Sequence, residues 1–373
     1  MTDTTAQAAV PHLFRPITIR GLEIRNRIWV PPLCQYSVTA LDGVPTDWHL
    51  VHLGSMAAGG AGLVIAEATA ISPEGRISDH DTGLWNDEQA EAWGRVVRFI
   101  RSQGAAAGIQ LAHAGRKAST WSELLRRPGS QPIEAGGWQT VSASAVAFEG
   151  LAEPVALDEA GIATVIEDFR RAAARAVAAG FDVVEVHAAH GYLLHQFLSP
   201  RSNVREDAWG GDLAGRARLL LEVVRTVRAE IGERMPLFVR FSATDWVDGG
   251  WDEAQTATVA RWAEEAGADF FDISTGGLVA DARIAVHPGY QVPHAEFVGT
   301  HGGVAVSAVG RITDALVADA LIGEGRVDAV MFGKAMMRDP HFALRAAHEL
   351  GADRSLWPPQ YRRARPDLND GEW

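Results

Sequence analysis

Eight short apolar runs recur between residues 28 and 332, and turn residues followed by helical patterns fill most of the intervals. The runs cover residues 28–33, 62–66, 107–111, 182–187, 237–241, 270–274, 304–307 and 329–332. Runs of this length and apolarity suit parallel strands that are covered on both faces. Helical patterns are predicted over residues 47–58, 87–103, 158–179, 213–231, 252–266, 313–322 and 339–350. Asp87, Asp158, Asp252 and Thr313 stand as N-caps, and Gly104, Gly180, Gly232, Gly267 and Gly351 lie just past helix ends, where a left-handed residue stops a helix. Eight strand–helix units predict an α/β fold, a (β/α)8 TIM barrel forming one domain over residues 1–373. A doubly wound open sheet is the competitor. It lacks support, because no strand leads into a dinucleotide-type G-x-G-x-x-G turn.

Other segments fit around that frame. Residues 17–20, Gly21 and residues 22–25 alternate with period two, which predicts an N-terminal β-hairpin lid over the bottom of the barrel. Residues 1–12 read as a mobile tail. Residues 121–152 read as a long Gly-, Pro- and Ser-rich excursion, and the Pro- and Arg-rich residues 358–373 as a tail able to reach a neighbouring subunit.

Composition narrows the partners. The formal net charge of −13 disfavours nucleic acid and anionic membranes. Cys34 is the only cysteine, so an internal disulfide, a thiolate-held iron–sulfur cluster and a Cys-based zinc site are all excluded. No apolar run has membrane-spanning length, and no basic cluster leads an apolar segment near the first residue. The expectation is a cytoplasmic protein acting on a small molecule.

If the barrel is right, chemistry belongs at the carboxyl ends of its strands. The fourth run ends in His187-Ala188-Ala189-His190-Gly191-Tyr192, two imidazoles and a phenol within six residues. Val183, Glu185 and His187 share one face of that strand. A single strand His is most often a satisfied core residue, and His-x-x-His can also ligate a metal, so this stretch alone leaves three readings open. Other strand ends supply Glu67-Ala68, Gln110, His113, Arg240, Gly310-Arg311 and Gly333-Lys334. Gln110 and Arg240 suit the edge of a flat polar ring. Gly310, Gly333 and Lys334 follow the last two strands, where barrels commonly hold a phosphate.

These residues carry a resemblance. Pro31-Pro32-Leu33-Cys34-Gln35-Tyr36, residues 60–68, Pro73-Glu74-Gly75-Arg76, residues 110–117, residues 187–192 and residues 197–211 occur in the order found in the Old Yellow Enzyme family. The likeness is closer to its thermophilic-like branch, the bacterial NADPH dehydrogenases and xenobiotic reductases, and spans residues 13–350. It implies a barrel that holds FMN non-covalently, is reduced by NADPH or NADH, and reduces activated C=C bonds of α,β-unsaturated carbonyls, quinones or nitro compounds. By position, Pro31, Pro32, Leu33, Cys34, Ala68, Gln110, Arg240, Gly310, Gly333 and Lys334 would line the flavin. Cys34 would tune its potential. His187 and His190 would grip the substrate oxygen, Tyr36 would add a contact, and Tyr192 would supply a proton. The family often has Arg where Lys334 stands, which loses a bidentate fork that Arg311 could restore. Arg363 matches an arginine that this branch can insert into a neighbouring active site, so a homodimer or homotetramer is expected.

Several finer expectations accompany this reading. Glu185 should pair with Arg240. His113, Arg116 and Lys117 support the flavin or the loop fold, or are solvated, and residues 245–248 shape the substrate entrance. Two alternatives stand beside the ene-reductase: a metal-dependent barrel hydrolase using His187 and His190, and a non-catalytic flavin-binding protein.

Overall fold

A computed structural model describes residues 10–352 and 354–366. Eight parallel strands close into a barrel: β1 (Ile28–Val30), β2 (Leu63–Ala70), β3 (Ala106–Ala112), β4 (Val183–Ala188), β5 (Leu237–Ser242), β6 (Phe270–Ser274), β7 (Val306–Ala308) and β8 (Ala329–Met331). Each strand neighbours its sequence predecessor, and β8 pairs with β1 to close the ring.

The helices outside are α1 (Asp47–Ala58), α2 (Asp87–Ser102), α3 (Glu159–Ala179), α4 (Leu213–Ile231), α5 (Glu253–Ala266), α6 (Val292–Gly302), α7 (Ala315–Gly323) and α8 (Phe342–Leu350). Asp158 and Asp252 cap α3 and α5 as the sequence implied. Asn86 rather than Asp87 caps α2, and Asp314 rather than Thr313 caps α7. In both, the side chain that reaches the third backbone N–H of the helix is one residue away from the expected one.

Strand alternation divides the core in two. Val184, Val186 and Ala188 of β4 face outward into the cluster shared with the helices. Val183 faces inward, joining Trp29, Leu63, Ile65, Phe238, Phe270 and Met331 at the amino ends of the strands. Trp29, Phe238 and Phe270 pack ring on ring there, with centroids 4.9–5.7 Å apart. A hairpin of Ile17–Ile19 and Leu22–Ile24 adds Ile19 and Ile24 to this inner cluster. Apolar filling of the lower barrel leaves the upper barrel to polar groups.

The predicted tail of residues 1–12 leads into an ordered turn. His12–Phe14 forms a 3₁₀ turn that buries Leu13 and Phe14, and the Leu13 N–H donates to Asp319 Oδ1 at 2.8 Å. Residues 1–9 of that tail and 367–373 of the last one lie outside the described residues. Among the described residues, no helix is long and apolar enough to cross a membrane.

Candidate active site

The turn after β4 is held at every backbone polar group from His190 to Tyr192. The His190 N–H donates to Ser242 Oγ (2.9 Å), and its carbonyl accepts from Lys117 Nζ (2.9 Å). The Gly191 N–H donates to His195 Nδ1 (2.9 Å), and its carbonyl accepts from Gln196 Nε2 (2.7 Å). The Tyr192 N–H donates to the Ala189 carbonyl, and the Tyr192 carbonyl accepts from the Gln196 N–H. His190 and Gly191 are both left-handed, with φ of +57° and +72°. A Cβ on Gly191 would lie 2.2 Å from the Gly277 carbonyl oxygen, so this position requires glycine on two counts. A non-glycine residue in the left-handed region persists only where its surroundings over-determine it, and here they do.

This scaffold aims three side chains at one place. The rings of His187 and His190 meet edge to face with centroids 5.2 Å apart, and His187 meets Tyr192 at 5.0 Å. His187 Nδ1 accepts the Ala189 N–H at 3.2 Å, which leaves the proton of the neutral ring on Nε2. His190 Nε2 lies 2.8 Å from Ser274 Oγ. Ser274 Oγ also lies 3.3 Å from Gln291 Oε1, which already accepts from Thr275 at 2.8 Å; with its proton turned to the shorter contact, Ser274 donates to His190 Nε2 and the ring N–H stands on Nδ1. Burial, then Arg240, hold both imidazoles well below their ordinary pKa, so they are neutral donors at neutral pH. Burial raises the Tyr192 phenol well above its ordinary pKa, and it keeps its proton.

Behind the turn, His195 and Asp245 are both fully buried, with Nε2 and Oδ1 3.0 Å apart. Asp245 Oδ2 also accepts from Ser199 Oγ (2.6 Å) and the Trp251 N–H (2.8 Å). Burial pushes this carboxyl up, but His195, Ser199 and Trp251 outweigh it and leave it below the ordinary range. Asp245 therefore does not shape the entrance as the sequence suggested. It fixes the His195 tautomer, which in turn receives the Gly191 N–H. Asp245→Asn would face an amide N–H toward the His195 N–H or force a tautomer that opposes Gly191. Losing these charge-assisted bonds should cost about 2–3 kcal/mol of stability, measured as a lower urea midpoint at unchanged m-value.

The remaining expected residues gather at neighbouring strand ends. Gln110 and Arg240 are buried inside the barrel, and Ala68 follows a bulge in β2 that turns Glu67 outward. Glu67 Oε1 accepts the Gln35 N–H at 3.1 Å, fixing the loop of Pro31, Pro32, Leu33 and Cys34. Burial raises the pKa of the Cys34 thiol, so it stays protonated. Gly333 lies against this loop, where an added Cβ would come within 3.3 Å of Leu33 and 3.5 Å of Pro31. Gly310 and Arg311, with φ of +121° and +54°, end adjacent β7. Arg311 and Lys334 are exposed cations. Two loops with close backbone approach, two cations above them, and Gln110 and Arg240 inside the barrel form a donor set that fits a phosphorylated planar ring.

Some expectations fail here. Glu185 does not pair with Arg240. It accepts from Gln110 Nε2 at 2.7 Å, while Arg240 Nε lies 2.9 Å from Asp272 Oδ2. The register explains this, since His187 and Asp272 stand opposite Arg240, whereas Glu185 stands opposite Phe238. His113 and Arg116 are buried, which sets aside the solvated reading and agrees with support of the loop fold. Lys117 clamps two loops through its bonds to the His190 and Gly277 carbonyls, both 2.9 Å, and sits 5.1 Å from the Tyr192 ring centroid. Tyr36 is half-buried and left-handed (φ +52°). Arg363 is exposed in the 3₁₀ turn Pro359–Ala364. Among the described residues, no group of three or more His, Cys, Asp or Glu is arranged to hold a metal.

Comparison with known proteins places this geometry. A family model described as the NADH:flavin oxidoreductase / NADH oxidase family matches residues 12–353. An NADPH dehydrogenase of Listeria innocua is 44% identical over 352 residues, which cover 94% of this chain and 98% of the relative. Among solved structures, morphinone reductase superposes with a TM-score of 0.76 at 30% identity, covering 94% of this chain and 93% of that one. A 2-naphthoyl-CoA reductase superposes with a TM-score of 0.82 at 25% identity, and this chain spans 52% of its length. The chain belongs to the NADH:flavin oxidoreductase / NADH oxidase family, the Old Yellow Enzyme family, and is an FMN-dependent NAD(P)H oxidoreductase.

Proposed function

We propose that this enzyme is an NADPH-linked ene-reductase that reduces the activated C=C bond of α,β-unsaturated carbonyl compounds. The observation that carries the reading is the meeting of two neutral imidazole N–H groups with a protonated phenol at one strand end. FMN, when bound, supplies the hydride. The protein supplies a grip on oxygen and a proton. His187 Nε2–H and His190 Nδ1–H hold the carbonyl oxygen, where negative charge grows as the C=C bond is reduced. Donors placed for the charged oxygen bind the transition state more tightly than the ground state. Tyr192 gives its phenolic proton to the carbon that hydride does not reach.

Gln110, Arg240 and Ala68, together with the Pro31-Pro32-Leu33-Cys34 loop, would hold the ring of FMN. Gly310, Gly333, Lys334 and Arg311 would hold its phosphate. Tyr36 would touch the substrate oxygen, and Arg363 would reach the site of a neighbouring subunit in a homo-oligomer. The 44% identical NADPH dehydrogenase supports NADPH as reductant. The deciding experiment is an anaerobic spectrum of the purified protein, titrated with NADPH and then with 2-cyclohexenone. Flavin bands that bleach and then return are the expected result. Bands that bleach and stay bleached would leave a reductase with a different oxidant, and a colourless protein that takes up no FMN would overturn the reading.

A further inference from the structure

Above the apolar floor of the barrel lies a belt of polar side chains that the proposed chemistry does not explain. Glu185 and Asp272 point into the barrel with no exposed surface, and Arg240 stands between their strands at 6% exposure. Two carboxyl groups thus lie near one guanidinium in a dry interior. The charged and titratable groups facing Glu185 are Arg240 from β5 and Asp272 from β6, with His187 two residues ahead on its own strand. From β3 and β7 come Gln110 and Ser307, which do not titrate.

The contacts separate the two acids. Asp272 Oδ2 and Arg240 Nε stand 2.9 Å apart as an ion pair outside hydrogen-bond geometry, and Asp272 Oδ1 accepts from Ser307 Oγ at 3.2 Å. Glu185 Oε1 has one neutral donor, Gln110 Nε2 at 2.7 Å, and its Oε2 has no hydrogen-bond partner. An ionised carboxylate without a cation of its own and with one bare oxygen is costly to bury. A protonated one costs far less, since it carries no charge. Like charges that share a site also force one proton onto the pair.

We propose that Glu185 is a neutral carboxylic acid in the working enzyme, and that Asp272 alone is the counter-ion that positions Arg240. The belt then carries one negative and one positive charge. With Glu185 ionised it would carry a net negative charge beneath a cofactor that must accept electrons. Burial first, then Asp272, raise Glu185 above the ordinary carboxylate range, in the direction this requires. Its role toward the flavin rests on the ene-reductase reading, in which Arg240 and Gln110 touch that ring. Its charge state does not.

Infrared spectroscopy of the purified holoenzyme tests it directly. At pH 7 the wild type should show a buried carboxylic-acid C=O band that shifts in D2O, and Glu185→Gln should remove that band. Asp272→Asn should also remove it, because Glu185 would then ionise to become the counter-ion of Arg240. The flavin midpoint potential of Glu185→Gln should equal that of the wild type at pH 7 and exceed it once the wild-type acid band titrates away at higher pH. A wild type without the band at pH 7, a band that survives Glu185→Gln, or a raised potential of Glu185→Gln at pH 7 would overturn the assignment. Should Glu185→Gln fail to fold, the wild-type pH titration of the band and the Asp272→Asn spectrum decide alone. If the protein binds no flavin, the ene-reductase reading fails while the infrared result still stands or falls by itself.

Discussion

Tyr192→Phe should slow the reduction of 2-cyclohexenone by about two to four orders of magnitude, the usual worth of a positioned general acid, while consumption of NADPH in the absence of an enone acceptor is unchanged. The phenol is the group on this turn that pairs an ordinary proton-donor chemistry with the right place. His187 Nδ1 is an acceptor, and in the proposed reaction its Nε2–H and the His190 Nδ1–H are committed to the substrate oxygen. Phe keeps the ring that packs edge-on against His187 at 5.0 Å and lies 5.1 Å from Lys117 Nζ, so the turn should keep its shape. Stopped-flow absorbance of the two half-reactions separates the effects. Acceptors whose reduced form takes its proton from water, such as maleimides and nitroalkenes, should lose much less. Equal losses in both half-reactions would mean that Tyr192 maintains the site rather than acting as its acid, and no loss in either would leave the phenol without a chemical role.

The barrel was legible because its signals are local and repeated. Gly180 and Gly267 end α3 and α5 with positive φ, and the strand candidates each overlap an observed strand. Among the described residues three α-helices went unseen, the short Leu193–Leu198 and Lys334–Arg338 and the longer α6, which opens Val-Pro-His and contains Gly299 and Gly302, a composition with poor intrinsic helix preference. Tertiary packing explains one of those glycines, since a Cβ on Gly299 would come within 2.9 Å of Val306 Cγ2.

The strand-end residues were legible for the same reason as the strands. Their supports were not. Asp272, His195 and Asp245 act through partners distant in sequence, and only the register of a closed barrel brings them together. A one-strand view of β4 pairs Glu185 with Arg240 by opposite charge, whereas the ladder sets Arg240 against His187 and Asp272. Lys117 shows the same limit, since a lysine after a strand reads equally as solvated or as a loop support until two loop carbonyls are found around it.

His187→Ala and His190→Ala should each lower the rate of enone reduction by about a hundred- to a thousand-fold, equivalent to about 3–4 kcal/mol of lost transition-state stabilisation per donor. Each removes one of the two N–H groups aimed at the oxygen on which charge develops, so the loss should fall on kcat/KM for enones, with reduction by NADPH much less affected. The pair should be non-additive, because the surviving imidazole cannot orient the oxygen alone once its partner is gone. Their protonation state gives a second check. An imidazolium grip would weaken as pH rises through the ordinary histidine range near 6.5. Burial and Arg240 hold both rings well below that value, so the neutral grip is already in place at pH 6 and the binding of a carbonyl inhibitor should be flat from there to pH 8. Inhibitor titrations at a series of pH values, read from the perturbed flavin spectrum, distinguish the two. A binding curve that falls away between pH 6 and 7.5 would mean that the oxygen is held by a charged histidine, and wild-type enone rates in both alanine variants would remove these residues from the substrate grip.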